Sequence, residues 1–212
     1  MRILDARYSR DLRRHNLALR MIRHEARTLT IRMWTGLSAT RIRKLYRSYV
    51  ATRGIAAPTQ RHRGPQPSRL QPLWRSKHLA PEAAVVAGLS VAMGVLPTKP
   101  MPNADRELPS VGNGERLCYA FELYQQMVSN PQIRFDLLIP LIIALARRVE
   151  LALGHCDRCD AAMLIALLEN RPHVCTQCEL EAGAAPNQNG VVTTPSSRAE
   201  GESEDVAESP PS

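Results

Sequence analysis

"HCDRCDAAMLIALLENRPHVCTQC", residues 155–178, places two Cys-x-x-Cys pairs fifteen residues apart in a chain with five cysteines in all. Cys156, Cys159, Cys175 and Cys178 fall within the spacing of a four-cysteine zinc site. A two-residue spacer lets a tight turn aim both thiolates at one ion, and two such turns close a tetrahedron. Gly154 and Asp157 suit the first turn, and Thr176 and Gln177 fill the second. The pairs flank a short apolar run, as in zinc ribbons, which favours zinc over an iron–sulfur cluster. A redox Cys-x-x-Cys normally stands alone beside a βαβ pattern, which is not seen here. With no export signal to read in residues 1–29, structural disulfides are not expected. His155 and His173 border the pairs, either as substitute ligands or as outer partners of the ligands. The expected cofactor is one structural zinc ion per chain, because four protein thiolates leave no open position for a catalytic water. Cys118, alone in "ERLCYAFELYQQ", reads as a small buried apolar residue.

Charge divides the rest of the chain. Residues 1–80 hold 19 Lys and Arg against 3 Asp and Glu, a net +16, whereas the remaining 132 residues carry −8. A basic half joined to an acidic half points to a polyanion partner, with double-stranded DNA the first candidate. Aromatic residues make up only 4% and there are 16 prolines. Helices and loops are therefore expected rather than a β-sandwich, since strands favour aromatic and β-branched residues. The fold class is mainly α: a helical domain with a helix-turn-helix-like segment and a C-terminal four-cysteine zinc module.

"TIRMWTGLSATRIRKLYRSYV", residues 30–50, carries that segment. A first helix ends at Gly36, Leu37 packs inward and Ser38 is a good N-cap for the next helix. In the second helix Ile42, Leu45, Tyr46 and Tyr49 repeat as one buried face. Thr40, Arg43, Lys44 and Arg47 share the opposite face, the geometry of a recognition helix in the major groove. Arg61, His62, Arg63 and Arg69 follow in a basic stretch and are expected to touch phosphates. A solvated basic face on an ordinary helical hairpin is the competing reading.

Along the chain, residues 1–50 are N-terminal helices that include this segment. Residues 1–29 read as a single amphipathic helix with Leu12, Leu19, Ile22, Ala26 and Leu29 on its apolar stripe. Residues 51–81 form a basic Pro/Gly-rich connector, extended in character. Residues 82–153 are a helical core of two to four helices with a loop at 97–114. Residues 154–182 are the zinc-binding module. Residues 183–212 are too polar and acidic to bury a core and read as a disordered tail. The runs "AAVVAGLSVAMGVL" and "LLIPLIIALA" are too short or too interrupted to span a bilayer. No membrane association and a cytoplasmic location are expected.

Together these pieces resemble the FlhC family, flagellar transcriptional activators that work with FlhD. "LSATRIRKLYRSYV" is similar to the family's Leu-Ser-x-x-x-hydrophobic-x-Lys-Leu-Tyr helix, and Trp74 is similarly placed to a family tryptophan. "CYAFELYQQM" resembles its Ala-Tyr-x-Leu-Tyr helix, and the last helix runs into "CDRC…CTQC" as the family's does. The likeness covers roughly residues 10–182. The connector departs from it, reading "AAPTQRHRGPQPS", as do the alanine-rich residues 78–97 and the acidic tail. The resemblance implies a zinc-bearing helical protein in a hetero-oligomer with an FlhD-like subunit. Such a complex contacts DNA upstream of flagellar or related motility promoters and helps recruit RNA polymerase. No phosphate loop or Ser/His/Asp arrangement argues for an enzyme. The rival from another class is a zinc-stabilised interaction subunit binding RNA or a protein. A redox-switched sensor is a third.

Overall fold

Leu17, Ala18, Met21 and Ile22 form the buried stripe of the first helix, α1 (Arg2–Arg23), each at most 2% exposed in the computed structural model. The structure describes residues 2–53, 67, 69–170 and 172–183. The one helix expected over residues 1–29 is two. After Arg23 the chain turns through Glu25, whose φ of 59° is left-handed, and the Ala26 N–H donates back to the Met21 carbonyl at 2.9 Å. That pair of features closes a helix C-terminus, and here a glutamate occupies the place glycine usually takes. The apolar stripe is correspondingly rotated: Leu12 and Leu29 are exposed, Leu19 is half-buried, and Leu17 and Met21 go inside instead.

The next helix, α2 (Thr28–Thr35), ends at Gly36 with φ 69°, its N–H bonded to the Arg32 carbonyl at 2.9 Å. A side chain at that φ would be strained, which is why glycine stands there. Leu37 is 3% exposed, and α3 (Ala39–Arg53) then buries Ile42 and Tyr46 while half-burying Leu45 and Tyr49. The side chain of Ser38 lies 3.4 Å from the Arg41 N–H, a loose N-cap. The connector residues 54–66 and 68 lie outside the described residues. Its last part is not extended: α4 (Pro72–Arg75) opens on Pro72, and Leu73, 1% exposed, pins it to the core. Proline suits the first helical turn because its ring presets φ and its missing N–H has no helical partner there.

Within the core, α5 (Leu79–Ala92) is apolar on nearly all sides, and its one acid, Glu82, accepts from the Gln132 N–H at 2.8 Å and from the Tyr124 hydroxyl. The 97–114 stretch contains a helical turn, α6 (Ala104–Glu107), and the start of α7 (Val111–Met127), which Ser110 caps by accepting from the Asn113 N–H at 3.1 Å. Cys118 is fully buried on α7 and burial pushes its thiol up to about 12, so it serves as an apolar core residue. Helix α8 (Phe135–Arg147) buries Leu138, Leu141, Ile142 and Leu145. Arg20 on α1 forks onto Glu122 of α7, and the His24 imidazole reaches the same carboxylate at 2.9 Å while stacking on Phe135. These contacts make the N-terminal helices and the core one packed body.

The chain is mainly helical, yet the apolar run between the cysteine pairs is not. Residues Leu151–His155 (β1) and Ala162–Ala166 (β2) pair antiparallel, Leu153 opposite Leu164. "AMLIA" is made of good helix formers apart from Ile165, and the override is tertiary. Leu151 and Leu164, 1% and 5% exposed, lay the hairpin on the helical core, and a strand can put both faces to use where one helical turn could not. The last element among the described residues is α9 (Thr176–Gly183). Among the described residues, no helix is long and apolar enough to cross a membrane.

Candidate metal centre and basic helix face

Cys156 and Cys159 sit on the tight turn that joins β1 to β2. The turn is closed by Asp160 N–H to the Cys156 carbonyl and Cys156 N–H to the Ala161 carbonyl, both 2.9 Å. Asp160 takes φ 58°, so the reversal rests on this aspartate. Gly154, expected to serve the turn, lies instead inside β1 opposite Met163. The second pair is built differently: Cys175 precedes α9 and Cys178 lies in its first turn. A helix start brings both sulfurs to one side and adds the partial positive charge of its free N–H groups, which favours thiolates.

The two halves are strapped together through Asp157. Its N–H donates to the His173 carbonyl at 2.8 Å, and its carboxylate accepts from the His173 N–H at 3.2 Å. Arg158 adds a guanidinium contact to the Cys178 carbonyl at 3.4 Å. The four sulfurs lie within 4.8 Å of one another, with Cys159 and Cys175 3.6 Å apart. A tetrahedral ion with about 2.3 Å bonds to sulfur needs sulfur–sulfur edges of about 3.8 Å, so the cluster fits a metal ion. His155 and His173 are exposed and stand outside the sulfur cluster. Spacing alone found the four cysteines. Asp157 and Arg158 carried no signal beyond being polar residues in the turn.

Hydrogen bonds from the Cys175 and Arg158 N–H groups hold the Cys156 thiol down, to about 6. Cys178 is pushed up to about 12, because its proton is shared with the sulfurs of Cys159 and Cys175. Binding an ion must therefore expel protons, and acid must release it. Metal affinity should rise with pH by about one decade per unit for each proton displaced. Competition against a chromophoric chelator across neutral pH measures this, and a flat profile would contradict thiolate ligation.

The other sequence-derived residues lie elsewhere. Thr40, Arg43, Lys44 and Arg47 are all exposed on α3, opposite the buried Ile42 and Tyr46. Helix α3 contains no acidic residue. None of the three cations makes an ion pair among the described residues, whereas Arg13, Arg20, Arg75, Arg134 and Arg147 each meet a carboxylate. Arg69 is exposed ahead of α4. Arg61, His62 and Arg63 lie outside the described residues. No protein-family model matches the chain, and no curated protein matches it significantly.

Proposed function

We propose that this chain is a non-enzymatic, DNA-binding transcriptional activator of FlhC type, acting in a complex with an FlhD-like subunit on flagellar or related motility genes. Its metal is one zinc ion per chain, held by Cys156, Cys159, Cys175 and Cys178. Four thiolates close the coordination shell, so the ion has a structural role. The outer face of α3 carries the reading. Three cations at helical spacing, unmatched by carboxylates among the described residues, stand on a helix whose opposite side is anchored in the core by Ile42 and Tyr46. Arg13, Arg20, Arg75, Arg134 and Arg147 are each neutralised by a carboxylate, whereas this face keeps its charge among the described residues and so suits a polyanion. Helix α2 and the Gly36 turn brace it, as in a helix-turn-helix whose second helix enters the major groove. Recruitment of RNA polymerase follows from the resemblance.

The test separates base readers from phosphate contacts. A binding site is first selected from random duplexes, with any required partner present. Arg43→Ala should then lower affinity for the selected site by about 1–3 kcal/mol and relax preference at one position. Arg63→Ala should weaken selected and random duplexes alike and reduce the log–log salt slope by about one. Equal loss on both duplexes for both variants would make α3 a mere basic surface. No loss in either variant, or stronger binding to RNA than to any duplex, would end the DNA reading.

A further inference from the structure

Helix α1 runs on beyond its buried part. Its buried residues begin at Leu17, and every side chain from Ala6 to Arg13 is exposed. Residues 6–12 thus project as a helical arm of about 10 Å at 1.5 Å per residue. As the extension of a packed 22-residue helix the arm needs no new nucleation, so it presents a formed face to another molecule. The arm carries the means. Tyr8, Leu12, His15 and Leu19 follow one another at intervals of four, three and four residues, the narrow seam along which two helices pair. Tyr8 is 69% and Leu12 46% exposed, while His15 and Leu19 are half-buried toward the body. Ile22, expected on the same apolar stripe as Leu12 and Leu19, is fully buried in the core.

Charge selects the occupant. The helix carries seven arginines against two aspartates. Arg13 meets Glu115, Arg20 meets Glu122 and Arg14 meets Asp11, but Arg7 and Arg10, both on the arm, make no ion pair among the described residues. A second copy of the chain would bring seven further arginines to the same place. We propose that the arm is a docking helix that pairs, along Tyr8, Leu12, His15 and Leu19, with an acidic amphipathic helix of a different protein. This deepens the partner half of the proposed function and rests on that half alone, not on contact with DNA.

The probe is a fluorescein-labelled three-heptad peptide with leucine at its seam positions and glutamate on its flanks. A twin carries lysine in place of every glutamate. Fluorescence anisotropy against the full chain at physiological salt should give saturable binding of the glutamate peptide, at least about tenfold tighter than the lysine twin. Leu12→Ala and Tyr8→Ala should each weaken it by about tenfold and leave the thermal unfolding midpoint unchanged, since both residues are exposed. Arg43→Ala should leave peptide binding intact, so failure of the DNA reading and failure of this one are told apart. Equal binding of the two peptides, or no loss in Leu12→Ala, overturns the proposal. So does a dimer of the chain in sedimentation that Leu12→Ala dissolves, because the seam would then belong to a second copy.

Discussion

Replacing Cys175 with serine should empty the metal centre and unravel the chain from Leu151 to Gly183, while the helices ahead of it keep their fold. The reason lies in how little else holds this module. Two five-residue strands make a hairpin that is marginal alone, and its deep anchors in the helical body are Leu151 and Leu164. Across the module, Arg75 and Trp74 reach Glu169 and Asp157 straps His173, but these are exposed or half-buried contacts, each a fraction of a kcal/mol to about 1 kcal/mol. A structural zinc supplies about 10–16 kcal/mol of apparent binding free energy, well beyond what those contacts provide. Elemental analysis should find one zinc per parent chain and none in Cys175→Ser. Trypsin should then cut the variant at Arg158, and a strong chelator should reproduce the cleavage in the parent. A variant that keeps its metal, or that resists trypsin like the parent, would refute the tetrathiolate centre.

Trp34→Ala should be the most damaging single change in the helical body, costing about 3–5 kcal/mol. Trp34 is 1% exposed where α1, α2 and α7 converge. A methyl group added at Gly114 of α7 would come within 2.7 Å of Leu17 and 3.3 Å of Trp34, which shows how closely the three helices meet. Removing the indole leaves a cavity that those backbones cannot collapse to fill. Against a total stability of about 5–15 kcal/mol, the unfolding midpoint should fall by about 10 °C or more. The converse change, Gly114→Ala, overpacks the same junction and should cost about 1–3 kcal/mol. A calorimetric midpoint in Trp34→Ala within a few degrees of the parent would mean that the N-terminal helices are not bound to the core as described.

Much of this was written in the order of residues along the chain. The Cys-x-x-Cys spacing is local chemistry: a two-residue spacer constrains where two sulfurs can point, so the cluster could be read without a fold. The two faces of α3 were legible for the same reason, because a 3.6-residue period separates Ile42 and Tyr46 from Arg43 and Arg47 whatever lies beyond. So was the end of α2, since only glycine takes the φ of 69° at position 36 without strain.

What depended on distant partners was hidden. The break after Arg23 is closed by a left-handed Glu25, a conformation that glutamate does not advertise, and it shifts which residues of α1 face the core. The second strand is built mostly from helix-forming residues, and it becomes a strand because the cysteine turn folds the chain back and the core takes Leu151 and Leu164. Local periodicity states which side chains can share a face. Which face finds cover, and which is left for another molecule, is settled by residues a hundred positions away: Glu115 and Glu122 take Arg13 and Arg20, while Arg7, Arg10, Arg43, Lys44 and Arg47 meet no carboxylate among the described residues.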